Sequence, residues 1–111
     1  MGFLDLFLRA DVNAGVRNCE NDPEGILIDV REPDEYNHRR IPGSVNLPLS
    51  VIQTAPEVYP EKDAHLYLYC YSGARSGQAA AALRKLGYTN VRDIGGIKGY
   101  TGATERGPKE G

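Results

Sequence analysis

The chain contains no tryptophan, a single methionine, two phenylalanines, two histidines and two cysteines in 111 residues. Cys19 and Cys70 form no Cys-x-x-Cys pair and no Cys/His ligand spacing, so neither a zinc module nor a disulfide framework is available. They read as free thiols in a reducing compartment. The formal net charge of −2 leaves no cationic excess, which speaks against nucleic acid or a membrane as a partner. No apolar run reaches bilayer length. The N-terminal stretch Phe3-Leu4-Asp5-Leu6-Phe7-Leu8 is interrupted by Asp5 and lacks a basic lead, making it a poor signal peptide. Met1-Gly2 is followed by Leu6 where a myristoylation start needs Ser or Thr. The expected location is the cytoplasm.

What is present is a chain long enough for one domain with its own core. Leu4, Phe7 and Leu8 share a helical face, and Asp11 suits the cap of a second short helix, so residues 1–17 read as an N-terminal helical segment packing on the domain. Asn18 to Gly25, with Pro23, reads as a loop. Ile26-Leu27-Ile28-Asp29-Val30 has the length and β-branching of a buried strand. Pro33 and the acids around it suit the first turn of a short helix that Ile41-Pro42-Gly43 ends. Ser44 to Pro48 reads as extended, 49–58 as helical. Leu66 to Tyr69 is a second strand, and Ser76 to Leu86, with its alanine stripe, is the clearest helix, ended by Gly87. Val91 to Ile94 is a third short strand before Gly95-Gly96. Residues 105–111 form a flexible polar tail. Strands alternating with helices predict an α/β fold: a small, mainly parallel sheet with helices on both faces.

Cys70 closes the strand and opens the helix. In such a sheet, ligands bind at the carboxyl ends of strands. The N–H groups at a helix start carry partial positive charge, so a thiolate is stabilised there. In Cys70-Tyr71-Ser72-Gly73-Ala74-Arg75-Ser76, the small Gly73 and Ala74 let the backbone curl. Amides from Tyr71 to Ser76 are then expected to converge above the sulfur as an anion-binding nest, with the Arg75 guanidinium adding a fork for oxyanions. A structural cysteine buried at a strand end is the bland alternative, and the Ser-Gly-x-Arg-Ser that follows Cys70 weighs against it.

Four stretches in order, Ile28 to Tyr36, Ile41 to Pro48, Cys70 to Ser76 and Gly95-Gly96-Ile97 with Tyr100, resemble a single-domain rhodanese over roughly residues 18–104. The resemblance implies a sulfurtransferase with Cys70 as nucleophile. Cys70 would take the sulfane sulfur of thiosulfate or a similar small anionic donor as a persulfide, and pass it to cyanide or a thiol acceptor, a protein thiol included. Tyr71, Ser72, Gly73, Ala74, Arg75 and Ser76 would bind the substrate. No cofactor or metal is implied. The sequence departs from the family pattern at two places. Arg39-Arg40 replaces the usual Gly-His before Ile-Pro-Gly; both arginines are expected to face solvent, the alternative being that one lines the pocket rim and attracts anions. Tyr100 replaces the usual Trp, a packing variation.

Asp29 and Arg31 are supporting candidates: Asp29 either orients Arg31 or the active loop, or is a buried acid satisfied locally, and Arg31 either reaches the substrate or pairs with an acid. His38 and His65 read as solvated, so the loop alone must stabilise the thiolate. Cys19, in the expected loop, has no strong claim as a resolving thiol. Tyr67, Tyr69 and Tyr71 share one strand face, the last at the pocket mouth. Two alternatives stand beside the transferase. One is a sulfur-relay or regulatory module with little turnover. The other is a Cys-dependent phosphatase or arsenate reductase, which usually places five residues between Cys and Arg where this chain has four.

Overall fold

The computed structural model describes residues 11–108. The apolar face expected from Leu4, Phe7 and Leu8 lies outside them. The elements are α1 (Val12–Glu20), β1 (Gly25–Asp29), α2 (Pro33–His38), β2 (Val45–Asn46), a 3-10 helix (Leu49–Thr54) running into α3 (Ala55–Val58), β3 (His65–Cys70), α4 (Ala74–Lys85), β4 (Val91–Gly96) and a closing 3-10 turn (Ile97–Gly99).

The four strands pair in parallel in the order β2-β1-β3-β4. Strand alternation sends successive side chains to opposite faces. Leu66, Leu68 and Cys70 therefore join a core with Ile28, Val30, Ala79, Ala80 and Leu83 beneath α4. Tyr67 and Tyr69 join Leu27 and Ile94 beneath Val12, Val16 and Cys19 of α1. Both faces are covered, as expected of a parallel sheet. The register sets Tyr69 opposite Asp29 and Cys70 opposite Gly96, so the carboxyl ends of the three longer strands meet at one edge.

The segment limits read at 17/18 and 104/105 do not coincide with breaks in the structure. Asp11 caps α1, its side chain accepting the Asn13 N–H at 3.0 Å, but the helix continues to Glu20 and crosses the expected break at 17/18. Polar residues at its end did not stop it, because Val12, Val16 and Cys19 form one buried stripe. The tail expected to be flexible from 105 is tied down in its described part. Glu105 and Arg40 exchange backbone hydrogen bonds (2.9 and 3.1 Å), and the Gly107 carbonyl accepts from Arg40 Nη1 at 2.7 Å.

Candidate functional site

The turn between β3 and α4 is made by Gly73, whose φ of 106° lies in the left-handed region that a Cβ disfavours. That turn brings the Gly73 N–H back to within 3.0 Å of Cys70 Sγ. Among the described residues it is the one amide hydrogen-bonded to the sulfur, where the sequence predicts a ring of amides from Tyr71 to Ser76. The N–H groups of Ala74, Arg75 and Ser76, in the first turn of α4, have no acceptor among the described residues, as the opening of any helix leaves them. They supply the positive end of a twelve-residue helix next to the sulfur.

The thiol is held on its other side too. Cys70 Sγ donates to Ser76 Oγ at 3.4 Å, and that hydroxyl donates to Asp93 Oδ1 at 2.7 Å. Asp93 is itself held by the Gly95 N–H at 3.1 Å. Cys70 is 1% exposed and Ser76 is fully buried, whereas Tyr71, Ser72 and Ala74 form the exposed rim. The sulfur therefore lies beneath the loop rather than on it, less accessible than a strand-end cysteine in the sequence suggests. Among the described residues no hydrogen bond runs through the Ser72 side chain.

The floor of the loop is β4. The Tyr71 carbonyl accepts the Lys98 N–H at 3.0 Å, and Gly96 lies against that carbonyl so closely that a Cβ there would stand 2.6 Å from Ser72 Cα. The Gly95-Gly96 pair thus has a local job: it lets the active loop rest on the neighbouring strand.

Arg75 does not project freely toward the sulfur. Both of its terminal nitrogens are taken by Glu35, Nη1 to Oε2 at 2.7 Å and Nη2 to Oε1 at 3.0 Å. This bidentate pair is only partly buried, the two side chains being 36% and 32% exposed. Hydrogen bonding by Arg75 holds the Glu35 carboxyl below the usual range against an opposing effect of burial, and the same contact raises Arg75. Glu35 Oε2 also accepts the Glu32 N–H at 3.1 Å at the start of α2. In the sequence Glu35 is only a first-turn acid; its distance of 40 residues from Arg75 hides the pairing.

Asp29 and Arg31 form a buried pair. Asp29 is fully buried, and its carboxylate takes the Arg31 N–H at 2.9 Å, Nε at 3.0 Å and Nη2 at 2.7 Å. Arg31 Nη2 also donates to the Arg39 carbonyl, and its guanidinium lies 6.0 Å from the Tyr69 ring centre. Of the readings open from sequence, the contacts are those of an ion pair that braces the segment after β1.

Arg40 corrects the expectation of two solvated arginines: it is 3% exposed, stacked 4.6 Å from the centre of the Tyr36 ring, with Nη1 on the Tyr36 and Gly107 carbonyls. Arg39 is exposed and reaches the Ile97 carbonyl at 3.4 Å. The motif's usual imidazole is thus replaced by a buried guanidinium that fastens the tail.

Cys19 is buried in α1, in the core on the face of the sheet opposite Cys70, and desolvation first, then Asp22 and Glu20, push its thiol up to about 11. It does not face Cys70. His65 is half-buried, not solvated, with Nδ1 2.8 Å from Asp22 Oδ2, and Tyr67 donates to the same oxygen at 2.8 Å. Among the described residues there is no group of three or more His, Cys, Asp or Glu arranged to hold a metal ion, and no helix long and apolar enough to cross a membrane.

The Rhodanese-like domain family matches residues 11–103. The chain is 38% identical over 72 residues to the thiosulfate sulfurtransferase PspE of Escherichia coli, covering 64% of this chain and 69% of that protein. It is 34% identical over 83 residues to the human thiosulfate:glutathione sulfurtransferase, covering 63% and 72% respectively. Among solved structures, a rhodanese with anions from E. coli superposes with a TM-score of 0.67 at 34% identity, over 74% of this chain and 98% of that one. The fold, the strand-to-helix cysteine loop and these relatives agree, and the chain belongs to the rhodanese-like domain family.

Proposed function

We propose that the protein is a sulfurtransferase that moves a sulfane sulfur from a donor such as thiosulfate to cyanide or a thiol through a persulfide on Cys70. The Cys70 thiolate attacks the outer sulfur of the donor. A new S–S bond forms, the donor's own S–S bond breaks, and sulfite leaves with the electron pair. The transferred sulfur then lies toward the unpaired N–H groups of Ala74 to Ser76, which stabilise its charge without moving. An acceptor nucleophile takes that sulfur and Cys70 is released as thiolate, two steps of ordinary covalent catalysis.

The observation that carries this reading is the Gly73 N–H on Cys70 Sγ at 3.0 Å at the mouth of α4. A merely structural cysteine needs no such seat beside a helix start. The names of the relatives, thiosulfate sulfurtransferase and thiosulfate:glutathione sulfurtransferase, point the same way. Two free cysteines suit a reducing compartment, and we place the protein in the cytoplasm, with neither nucleic acid nor a membrane as partner.

Intact mass after incubation with thiosulfate tests the proposal. The parent gains one sulfur, Cys70→Ser gains none, and cyanide reverses the gain. Steady thiocyanate release assigns an enzyme on free donors, and charging without turnover assigns a relay. Phosphate release from an aryl phosphate with no sulfur uptake overturns both.

A further inference from the structure

The guanidinium of the cysteine loop is already engaged by a carboxylate. Arg75 has both terminal nitrogens on Glu35, so that pair brings no net charge. Glu35 is preorganised, because the same oxygen that holds Arg75 also accepts the Glu32 N–H beside Pro33. A second carboxylate, Asp93, is joined to Cys70 through the buried Ser76 hydroxyl at 2.7 and 3.4 Å. Asp29 and Arg31 also act on the Glu35–Arg75 pair, but they are bound to each other and add no net charge. With Arg75 neutralised by Glu35, Asp93 is left as the carboxylate joined to the sulfur without a guanidinium of its own. The remaining positive potential comes from the amides at the start of α4, which stabilise one transferred sulfur but do not offset two full charges.

Sulfane donors differ in this respect. Thiosulfate brings a dianion and expels sulfite. A persulfide, R–S–SH, brings at most one charge. The Cys70 thiolate attacks its outer sulfur: a bond from Cys70 Sγ to that sulfur forms, the donor's S–S bond breaks, R–S⁻ leaves with the electron pair, and the proton stays with the transferred sulfur.

We propose that Glu35 is a specificity-determining residue that, by occupying Arg75, favours low-charge thiol persulfides over dianionic thiosulfate as the donor. Glu35 acts through Arg75 and is a positioning residue. This inference rests on the sulfurtransferase reading above and adds the donor class.

The test is single-turnover charging of Cys70, followed by intact mass, with thiosulfate and with hydroxyethyl persulfide, whose only ionisable group is the persulfide. In the parent, the second-order rate constant with persulfide exceeds that with thiosulfate by about tenfold, the scale set by like charges meeting in a partly dry site. Glu35→Gln keeps an acceptor for the Glu32 N–H and frees Arg75. It raises the thiosulfate constant by roughly fivefold and moves the persulfide constant by less than about twofold. A merely structural role would lower both together. Should Glu35→Gln fail to fold, Glu35→Ala frees Arg75 by truncation and shifts the donor ratio in the same direction. If both donors charge Cys70 and neither variant shifts the ratio, the inference falls while the sulfurtransferase reading stands. If neither donor charges the parent, the sulfurtransferase reading itself falls.

Discussion

Gly96 lies directly against the carbonyl of Tyr71, which the Lys98 N–H holds at 3.0 Å. No atom of a side chain fits between them. The backbone of β4 is therefore the bed on which the cysteine loop is laid, and the position of Cys70 Sγ relative to the start of α4 depends on it.

Gly96→Ala should consequently cost more activity than stability. A methyl there displaces backbone atoms, with an overpacking cost of about 1–3 kcal/mol. The same displacement moves the loop by a fraction of an ångström to an ångström, which is expected to slow Cys70 charging by roughly 100-fold. Denaturant unfolding and single-turnover mass measurement give the two numbers. A rate loss no larger than the stability loss predicts would mean the loop does not depend on this contact.

Breaking the Asp29–Arg31 pair should be among the most damaging single changes. Asp29→Asn keeps the shape but leaves the Arg31 guanidinium, 5% exposed, without its counter-charge. Uncompensated buried charge costs about 3–5 kcal/mol. Adding Arg31→Met to Asp29→Asn should recover part of that loss, and a urea-unfolding double-mutant cycle reads the coupling. Additive losses in the cycle would show that the two side chains are not energetically paired.

Tyr69→Phe isolates a hydrogen-bond network. Its hydroxyl accepts the Ile41 N–H at 3.1 Å and meets Ser44 Oγ at 3.0 Å, fully buried, and burial pushes the phenol well above its ordinary value. Removing the oxygen strands the Ile41 amide at a cost of about 1–3 kcal/mol. Hydrogen exchange at Ile41 should speed up by the same free energy as the global loss; unchanged exchange and stability would show that water or a shift of the backbone replaces the bond.

Acid should loosen the far end of the sheet first. Hydrogen bonds from His65 and then Tyr67 hold the Asp22 carboxyl down at about 2. Its folded value lies below its unfolded one, near 3.9. The contribution is therefore complete above about pH 4 and is lost as pH falls toward 2. Melting temperatures recorded from pH 5 to pH 2 should fall less steeply for Asp22→Asn than for the parent. An identical slope would show that the carboxylate gains nothing from these partners in solution.

The two thiols should be separable by alkylation. Cys19, raised to about 11, is ionised in about one molecule in a thousand at pH 8. Peptide mapping after brief iodoacetamide treatment should find Cys19 unmodified in the folded protein and modified in urea. Rapid native labelling of Cys19 would mean that α1 opens readily from the sheet.

Much of the architecture was legible in the chain because it is local. The β-branched run Ile26 to Val30, the alternating tyrosines before Cys70 and the alanine stripe after it each state their own periodicity. Cys70 at a strand end followed by small residues states where a helix start meets a sulfur. What distance in the chain hides is which polar groups find one another. Arg75 looks like a free cation until α2 delivers Glu35 to it from 40 residues away. Arg40 looks solvated until the tail crosses it and Tyr36 lies beneath it. The nest of amides reduces to one hydrogen bond, from Gly73, because only the turn at that residue folds its N–H back onto the sulfur. Hydrophobic periodicity and turn chemistry are written residue by residue, so the sequence alone determined the layers, the strand order's parallel sense and the place of the cysteine. The pairing of charges is decided only when the backbone has brought distant side chains within a few ångströms, and so the electrostatic character of the loop belonged to the tertiary structure.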